Sequence, residues 1–298
     1  TTLCKPVIAP ILRVMTPPPP PGDPPRLTDR AALDRQRTRA ARAGMADFLH
    51  ALAAAEIEER LTEVNRSFTS AAVVSGFPDL WARLWPSRFA PARQVTDTPV
   101  LDLEAGAHDL VAHVLALHWA DDPVGQLVQC RRALRPDGLL LAVTFGNETL
   151  HDLRHALARA ETEVLGGLSP RIAPMPEIRD LGALLQRAGF AQPVADLVPQ
   201  TVSYSDPLAV MRDLRAMGEG NALADRHRRA VPRALFARAA ELYAAAESAD
   251  GGRVTARFDL VFLAGWAPAP GQQKPLRPGS AARRLADALG TSETRLDP

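Results

Sequence analysis

Asp109-Leu110-Val111-Ala112-His113-Val114-Leu115-Ala116-Leu117, then Asp122-Pro123, then Arg135-Pro136-Asp137-Gly138 and the run 139–145 decide how this chain folds. The first run is long and mainly apolar, the pattern of a parallel strand buried on both faces. Asp122 supplies an N-cap, and Pro123 a first helical residue whose missing N–H costs nothing there. Val124, Leu127, Val128 and Leu134 then mark one face of a helix that the turn at 135–138 ends. Residues 139–145 read as a second buried strand. Strand, helix, tight turn and strand make a βαβ unit, which implies a right-handed parallel crossover.

Outward from this unit the chain alternates in the same way. Residues 27 to about 66 carry a helical period. Ala71-Ala72-Val73-Val74 reads as a buried strand stopping at Ser75-Gly76-Phe77-Pro78, and a short helix follows from Asp79 to Trp85. Another short strand ends near Val95-Thr96-Asp97. Downstream, a helix capped by Asn147 or Thr149 runs to about Val164. Further helices are expected at 181–187, 207–217 and 230–248, and strands at 194–204 and 253–266. Nine of the 27 prolines fall in the first 25 residues, so residues 1–26 read as an extended, disordered tail. Residues 1–14 precede Met15 and lack the apolar core of a signal peptide. The expected divisions are 27–66 N-terminal helices, 67–165 core, 166–250 lid and helical insertion, 251–266 last strand, and 267–298 a tail with a short helix.

Composition narrows the function classes without choosing one. The 298 residues hold 35 basic and 34 acidic side chains, a net charge of +1, which gives no support to nucleic-acid or anionic-membrane binding. Cys4 and Cys130 are the only cysteines, excluding a disulfide scaffold and a cysteine zinc site and suggesting a reducing compartment. No run approaches the roughly 20 apolar residues of a membrane span. The expected location is the cytoplasm.

Several strings together carry a family resemblance. They are Asp109-Leu110-Val111, Leu115-Ala116-Leu117-His118-Trp119-Ala120-Asp121-Asp122-Pro123, Arg132-Ala133-Leu134-Arg135-Pro136-Asp137-Gly138 and Phe145-Gly146-Asn147-Glu148-Thr149-Leu150. Gly166-Gly167-Leu168-Ser169-Pro170-Arg171, Asp180-Leu181-Gly182, Arg187-Ala188-Gly189-Phe190 and Asp213-Leu214-Arg215-Ala216-Met217-Gly218-Glu219 with Asn221 continue them, and Thr28-Asp29-Arg30 also fits. From about residue 27 to 266 the chain resembles the class I S-adenosylmethionine-dependent methyltransferases. Within them it is similar to the methyltransferase-like assembly factors of respiratory complex I and their alphaproteobacterial relatives. The resemblance implies an α/β, Rossmann-like, doubly wound and mainly parallel sheet, with a terminal antiparallel β pair and a helical insertion. It also implies S-adenosylmethionine as cofactor and a complex I subunit as partner. The family includes a type described as hydroxylating a protein arginine, so methyl transfer, arginine hydroxylation and an inactive assembly or scaffold role all stay open.

Two departures stand where the cofactor belongs. The family's loop reads as an acid followed by Gly-x-Gly-x-Gly, because backbone must pass close under the methionyl group. Here it is Ser75-Gly76-Phe77-Pro78, with one glycine left. Asp97 lies twelve positions before Asp109, the spacing of the adenine-contacting acid in relatives. About 20 residues then separate it from Gly76, which leaves the sheet one βα unit short of the family's seven strands.

The candidate cofactor residues are Ser75, Gly76, Phe77, Asp97, Thr98, Leu117, His118 and Trp119, with His118 also the candidate base. Gly76 and Asp97 could equally be turn formers, and His118 and Trp119 core packing. Gly166, Gly167, Ser169 and Arg171 form a candidate lid, with Arg215 and Asn221 facing the substrate from the inserted helices. Arg212, Arg226, Arg228, Arg229 and Arg233 read as a solvated basic face, and Cys130 as a packing residue. His151 and His155 sit four apart on a helix, but no third ligand accompanies them and no metal is expected.

Overall fold

The computed structural model describes residues 26–64, 66–247, 253–272 and 290–291. The proline-rich start and the expected short helix near 281–289 lie outside them. Six strands form one sheet: β1 (Ala71–Ser75), β2 (Ala92–Thr96), β3 (His108–Val114), β4 (Leu134–Gly146), β5 (Ala191–Tyr204) and β6 (Val254–Trp266). Their order is β2-β1-β3-β4-β6-β5. β2, β1, β3 and β4 are mutually parallel, while β6 runs antiparallel to both β4 and β5. The βαβ reading holds: β3 and β4 pair in parallel across α4 (Pro123–Ala133). The Asp122 side chain accepts the Gly125 N–H at 2.8 Å, as an N-cap should.

The expected shortage is present. Only α3 (Pro78–Leu84) and β2 separate Gly76 from Asp97, so β2 is both the neighbour of β1 and the edge of the sheet. Asp97 therefore follows the strand beside β1.

The sheet is covered on both faces. Alternate residues of β1, β3 and β4 (Val73, Leu110, Ala112, Leu141) pack against α2 (Phe48–Glu63), α5 (His151–Leu165) and α8 (Arg233–Glu247). Their neighbours Ala72, Val74, Val111 and Leu140 pack against α4 and α6 (Ile178–Arg187). Two-sided burial explains why these strands read as continuous apolar runs. A third, smaller cluster joins Ala32 and Leu33 of α1 (Arg30–Ala43) to Trp119, Ala222 and Leu223. α1 also packs on α7 (Pro207–Ala216), across the carboxyl ends of the strands.

The N-terminal helices expected over 27–66 are α1 and α2, parted at Gly44 with φ +89°. Three local expectations need correction. The strand expected to reach Leu117 ends at Val114; Leu115 takes φ +45°, and Leu117–Trp119 form a 3-10 turn. The turn at 135–138 lies within β4 as an irregularity around Asp137 (φ +63°), where the register to β3 shifts. Neither Asn147 nor Thr149 caps α5. Asn147 instead accepts the Ile178 N–H at the start of α6, and Thr149 bonds to Asp259 of β6.

Candidate functional site

The amino end of α1 is fastened to the far side of the crevice. Leu27 and Thr28 donate backbone N–H bonds to Asp121 at 2.8 and 2.9 Å, and the Thr28 hydroxyl donates to the Trp119 carbonyl. Asp29 caps the helix and accepts from Arg226. So fixed, the helix carries Arg30 and Arg37, seven residues and two turns apart on one face, over the ends of β1 and β2.

Both arginines converge on Asp97. Arg37 Nη1 donates to the two carboxylate oxygens at 2.7 and 2.9 Å. Arg30 Nη2 reaches Oδ1, and its Nη1 the Asp97 carbonyl, each at 2.8 Å. Asp97 is 2% exposed. Burial alone would raise its carboxyl, but the two guanidinium groups outweigh that and hold it below the usual carboxylate range. Its N–H donates to the Ser75 carbonyl, which ties the ends of β1 and β2 together.

The loop after β1 is filled. A Cβ built on Gly76 would stand 2.3 Å from Arg37 Cζ, so the guanidinium occupies the space that a glycine there leaves open. Ser75 is fully buried and its hydroxyl accepts the Phe77 N–H at 2.9 Å. The Phe77 ring lies between Arg37, 5.8 Å from its centroid, and His50, in edge contact at 5.5 Å. His50 accepts a hydrogen bond from the Trp81 indole at 3.0 Å, and burial pushes its imidazole down to about 4. A cavity of about 500 Å³ opens beside this loop, between Arg30, Thr38, Phe77 and Asp79.

These residues do not fit S-adenosylmethionine as arranged. The surface over Gly76 is taken by Arg37, and Asp97, the candidate adenine-contacting acid, is saturated by arginine. Thr98 is exposed, and its hydroxyl donates to the Val100 carbonyl. Leu117 packs into the core on the α4 side.

The remaining candidates gather elsewhere. A cavity of about 580 Å³ lies over the ends of β3 and β4, with His118, Trp119, Arg171, Arg215 and Asn221 in its wall. Phe145, Leu153, Met175 and Phe258 make it largely apolar. Glu219 is the one carboxylate of that wall among the described residues. It accepts from the Trp119 indole at 2.7 Å and pairs with His118 Nε2 at 3.1 Å. Burial would raise its carboxyl; His118, Arg37 and Trp119 more than offset this, and it lies below the usual range. The pairing of Nε2 with Glu219 leaves Nδ1 as the ring nitrogen available to a substrate, the position a base or orienting group needs. Nδ1 is buried without a hydrogen-bond partner, and the ring packs against Phe145 at 5.0 Å.

The candidate lid is pinned. Glu161 of α5, 2% exposed, accepts from the Ser169 N–H and hydroxyl and from Arg171 Nε and Nη2 at 2.6–3.1 Å. Asn221 donates to the Pro170 carbonyl at 2.9 Å. Gly166 and Gly167 precede this clamp and have nothing within 4 Å of a built Cβ. The rings of His151 and His155 lie 4.1 Å apart, tilted by 48°, and no group of three or more metal-binding side chains exists among the described residues. Arg226 and Arg228 are not simply solvated, since both pair with Asp29. Cys130 is fully buried and its thiol is pushed up to about 12. Among the described residues, no helix is long and apolar enough to cross a membrane.

Sequence reading missed Arg37, Glu161 and Glu219. Glu219 and Arg30 each ended a string that carried the resemblance. The seven-residue spacing from Arg30 to Arg37 was the available signal for the pair.

Residues 43–142 match the family model described as a methyltransferase domain. Arginine-hydroxylase NDUFAF5, mitochondrial, from Dictyostelium discoideum is 37% identical over 64% of this chain and 44% of its own length. Malonyl-[acyl-carrier protein] O-methyltransferase from Laribacter hongkongensis is 35% identical over 64% and 61%. The chain thus spans about half the length of the curated relatives it matches. Among solved structures, a SAM-dependent methyltransferase from Thermotoga maritima aligns with a TM-score of 0.41 at 15% identity, over 80% of this chain and 98% of that one. Residues 43–142 thus carry a methyltransferase-like domain within a Rossmann-like sheet, and the chain is similar to NDUFAF5 and to malonyl-[acyl-carrier protein] O-methyltransferases.

Proposed function

We propose that this chain acts in the maturation of respiratory complex I, in the bacterial cytoplasm, by taking a side chain of a partner subunit into the cavity over β3 and β4. The observation that carries this is Glu219, an ionised carboxylate held by His118 and Trp119 in a mainly apolar wall. Such a group suits a hydrogen-bond donor or cation entering from a partner, and one relative is named as an arginine hydroxylase. Arg39 and Arg215 are exposed where the same cavity opens, and neither makes an ion pair among the described residues. They favour acidic residues flanking the inserted side chain. His118 is proposed as the base or orienting group, and Arg171 with Asn221 as the pinned lid.

The test is complementation. In cells lacking the gene, Glu219→Gln and Arg215→Glu should each restore complex I activity to less than half of the wild-type level while the purified variants stay folded. Full restoration by both would sink the reading. A second reading, S-adenosylmethionine-dependent methyl transfer, is favoured by the family match over 43–142 and requires Arg37 to leave the loop over Gly76. Radiolabelled methyl incorporation into partner subunits measures it directly.

A further inference from the structure

We infer that Arg37 is a built-in occupant of the cofactor seat, so that this chain keeps the methyltransferase-like fold with its donor position plugged by its own first helix. Three observations converge. Gly76, the one glycine left in the loop, has its open face filled by the Arg37 guanidinium, with Cζ 2.3 Å and Nε and Nη1 2.6 Å from an ideal Cβ. Arg37 binds both oxygens of Asp97, and Arg30 adds a third contact. The ring of Phe77 closes over the same guanidinium and presses on Gly218, whose built Cβ would lie 2.9 Å from Phe77 Cζ.

The plug also explains the missing βα unit. A cofactor that is not bound needs no outer strand to carry its adenosine half, and β2 is free to be the edge. Arg37 Nε and Nη2 have no hydrogen-bond partner, so Asp97 holds the guanidinium from one side only. Displacing it would leave a buried ion pair broken, which weakens any competing ligand by about 10²- to 10³-fold. This inference is independent of the partner proposed above.

A double-mutant cycle on the full chain tests it without any ligand. If Arg37 fills the seat, Gly76→Ala collides with it, and the midpoint of thermal unfolding falls by several degrees. In an Arg37→Ala background, where Asp97 keeps Arg30, the same Gly76→Ala change should have little effect. Equal loss in both backgrounds overturns the inference. The second arm is calorimetric titration with S-adenosylmethionine and S-adenosylhomocysteine. Wild type should give no binding at 1 mM ligand on the order of magnitude set by a broken buried pair, and Arg37→Ala should bind at least about ten-fold more tightly. A wild-type chain that binds as tightly as Arg37→Ala overturns it as well. Failure of complex I complementation by Glu219→Gln would touch neither arm.

Discussion

The carboxyl ends of β1 and β2 and those of β3 and β4 belong to one crevice, yet their polar side chains are used in opposite ways. At the first pair, Asp97 spends both oxygens on arginines of α1, and the loop glycine is covered. At the second, Glu219 is satisfied by His118 and Trp119 but still borders an open cavity. Asp97 is buried and Glu219 half-buried, and both carboxyls are held below the usual range. What differs is the partner: a helix spanning the crevice takes up the first carboxylate and covers the loop glycine beside the cavity of about 500 Å³, whereas groups of the adjacent 3-10 turn hold the second in the wall of the larger cavity. A fold-level resemblance covers both halves equally and cannot tell them apart.

The largest expected effect breaks the closed half. Asp97→Ala removes the partner of a buried guanidinium, which should cost about 3–5 kcal/mol, measured by chemical denaturation. Glu219→Ala, tested alongside, should cost less, because Glu219 is partly solvent-exposed and its Trp119 partner is an uncharged indole, whereas Asp97 holds a buried guanidinium. Equal losses would mean that the two halves are held alike.

Acid sharpens the contrast. His50 sits against Phe77 on the closed side, with its imidazole lowered to about 4. The folded form therefore binds fewer protons than the unfolded chain between about pH 6.5 and 4, and stability falls as pH drops through that window. The full shift corresponds to roughly 3 kcal/mol. Protonation would also remove the acceptor of the Trp81 indole. His50→Gln should flatten stability against pH in this range, read from tryptophan fluorescence in urea at each pH. Glu219 has the same sign in a more acid window: its carboxyl is lowered, so its contribution is present above the ordinary carboxylate pKa and is lost only as pH falls below it. Acid loss that begins only below pH 4, or persists unchanged in His50→Gln, would contradict this assignment.

How much of this was legible depends on the range of the interaction. The βαβ unit at 109–145 could be read because two-sided burial writes itself into local composition, and Asp122-Pro123 into a local cap. The shortage between Gly76 and Asp97 could be read by counting residues. The plug could not, since Arg37 lies 60 residues from Asp97 and an arginine on an amphipathic helix looks solvated until its partner is known. Glu219 is similar, 101 residues from His118. Local pattern also misled at Leu115, where an apolar run continues through a left-handed residue that ends the strand.

A smaller effect separates the two carboxylates from the lid. Glu161→Gln keeps the size of the group that clamps Ser169 and Arg171 but leaves Arg171 without its charge partner. The carboxyl is held low because its bonds to Arg171 and Ser169 outweigh the effect of burial. The expected cost is about 1–3 kcal/mol, with faster proteolysis between 165 and 171 and unchanged resistance around Gly76. If cleavage near Gly76 rises equally, lid and closed half form one cooperative unit.

The smallest effect asks whether the open half is gated. Gly166 ends α5 with φ +68°, a conformation that costs an L side chain about 1 kcal/mol. Gly167 has open space around it and no such φ. Gly167→Ala should therefore change stability by less than about 0.5 kcal/mol, and Gly166→Ala should lower it by about 1. Because Glu161 already fixes Ser169 and Arg171, neither change should slow entry of a partner segment into the cavity. If Gly167→Ala slows partner association in stopped-flow measurements without changing stability, the pair is a working hinge. The cavity would then be gated by the 166–171 segment, and the contrast with the plugged half would be one of dynamics as well as of occupancy.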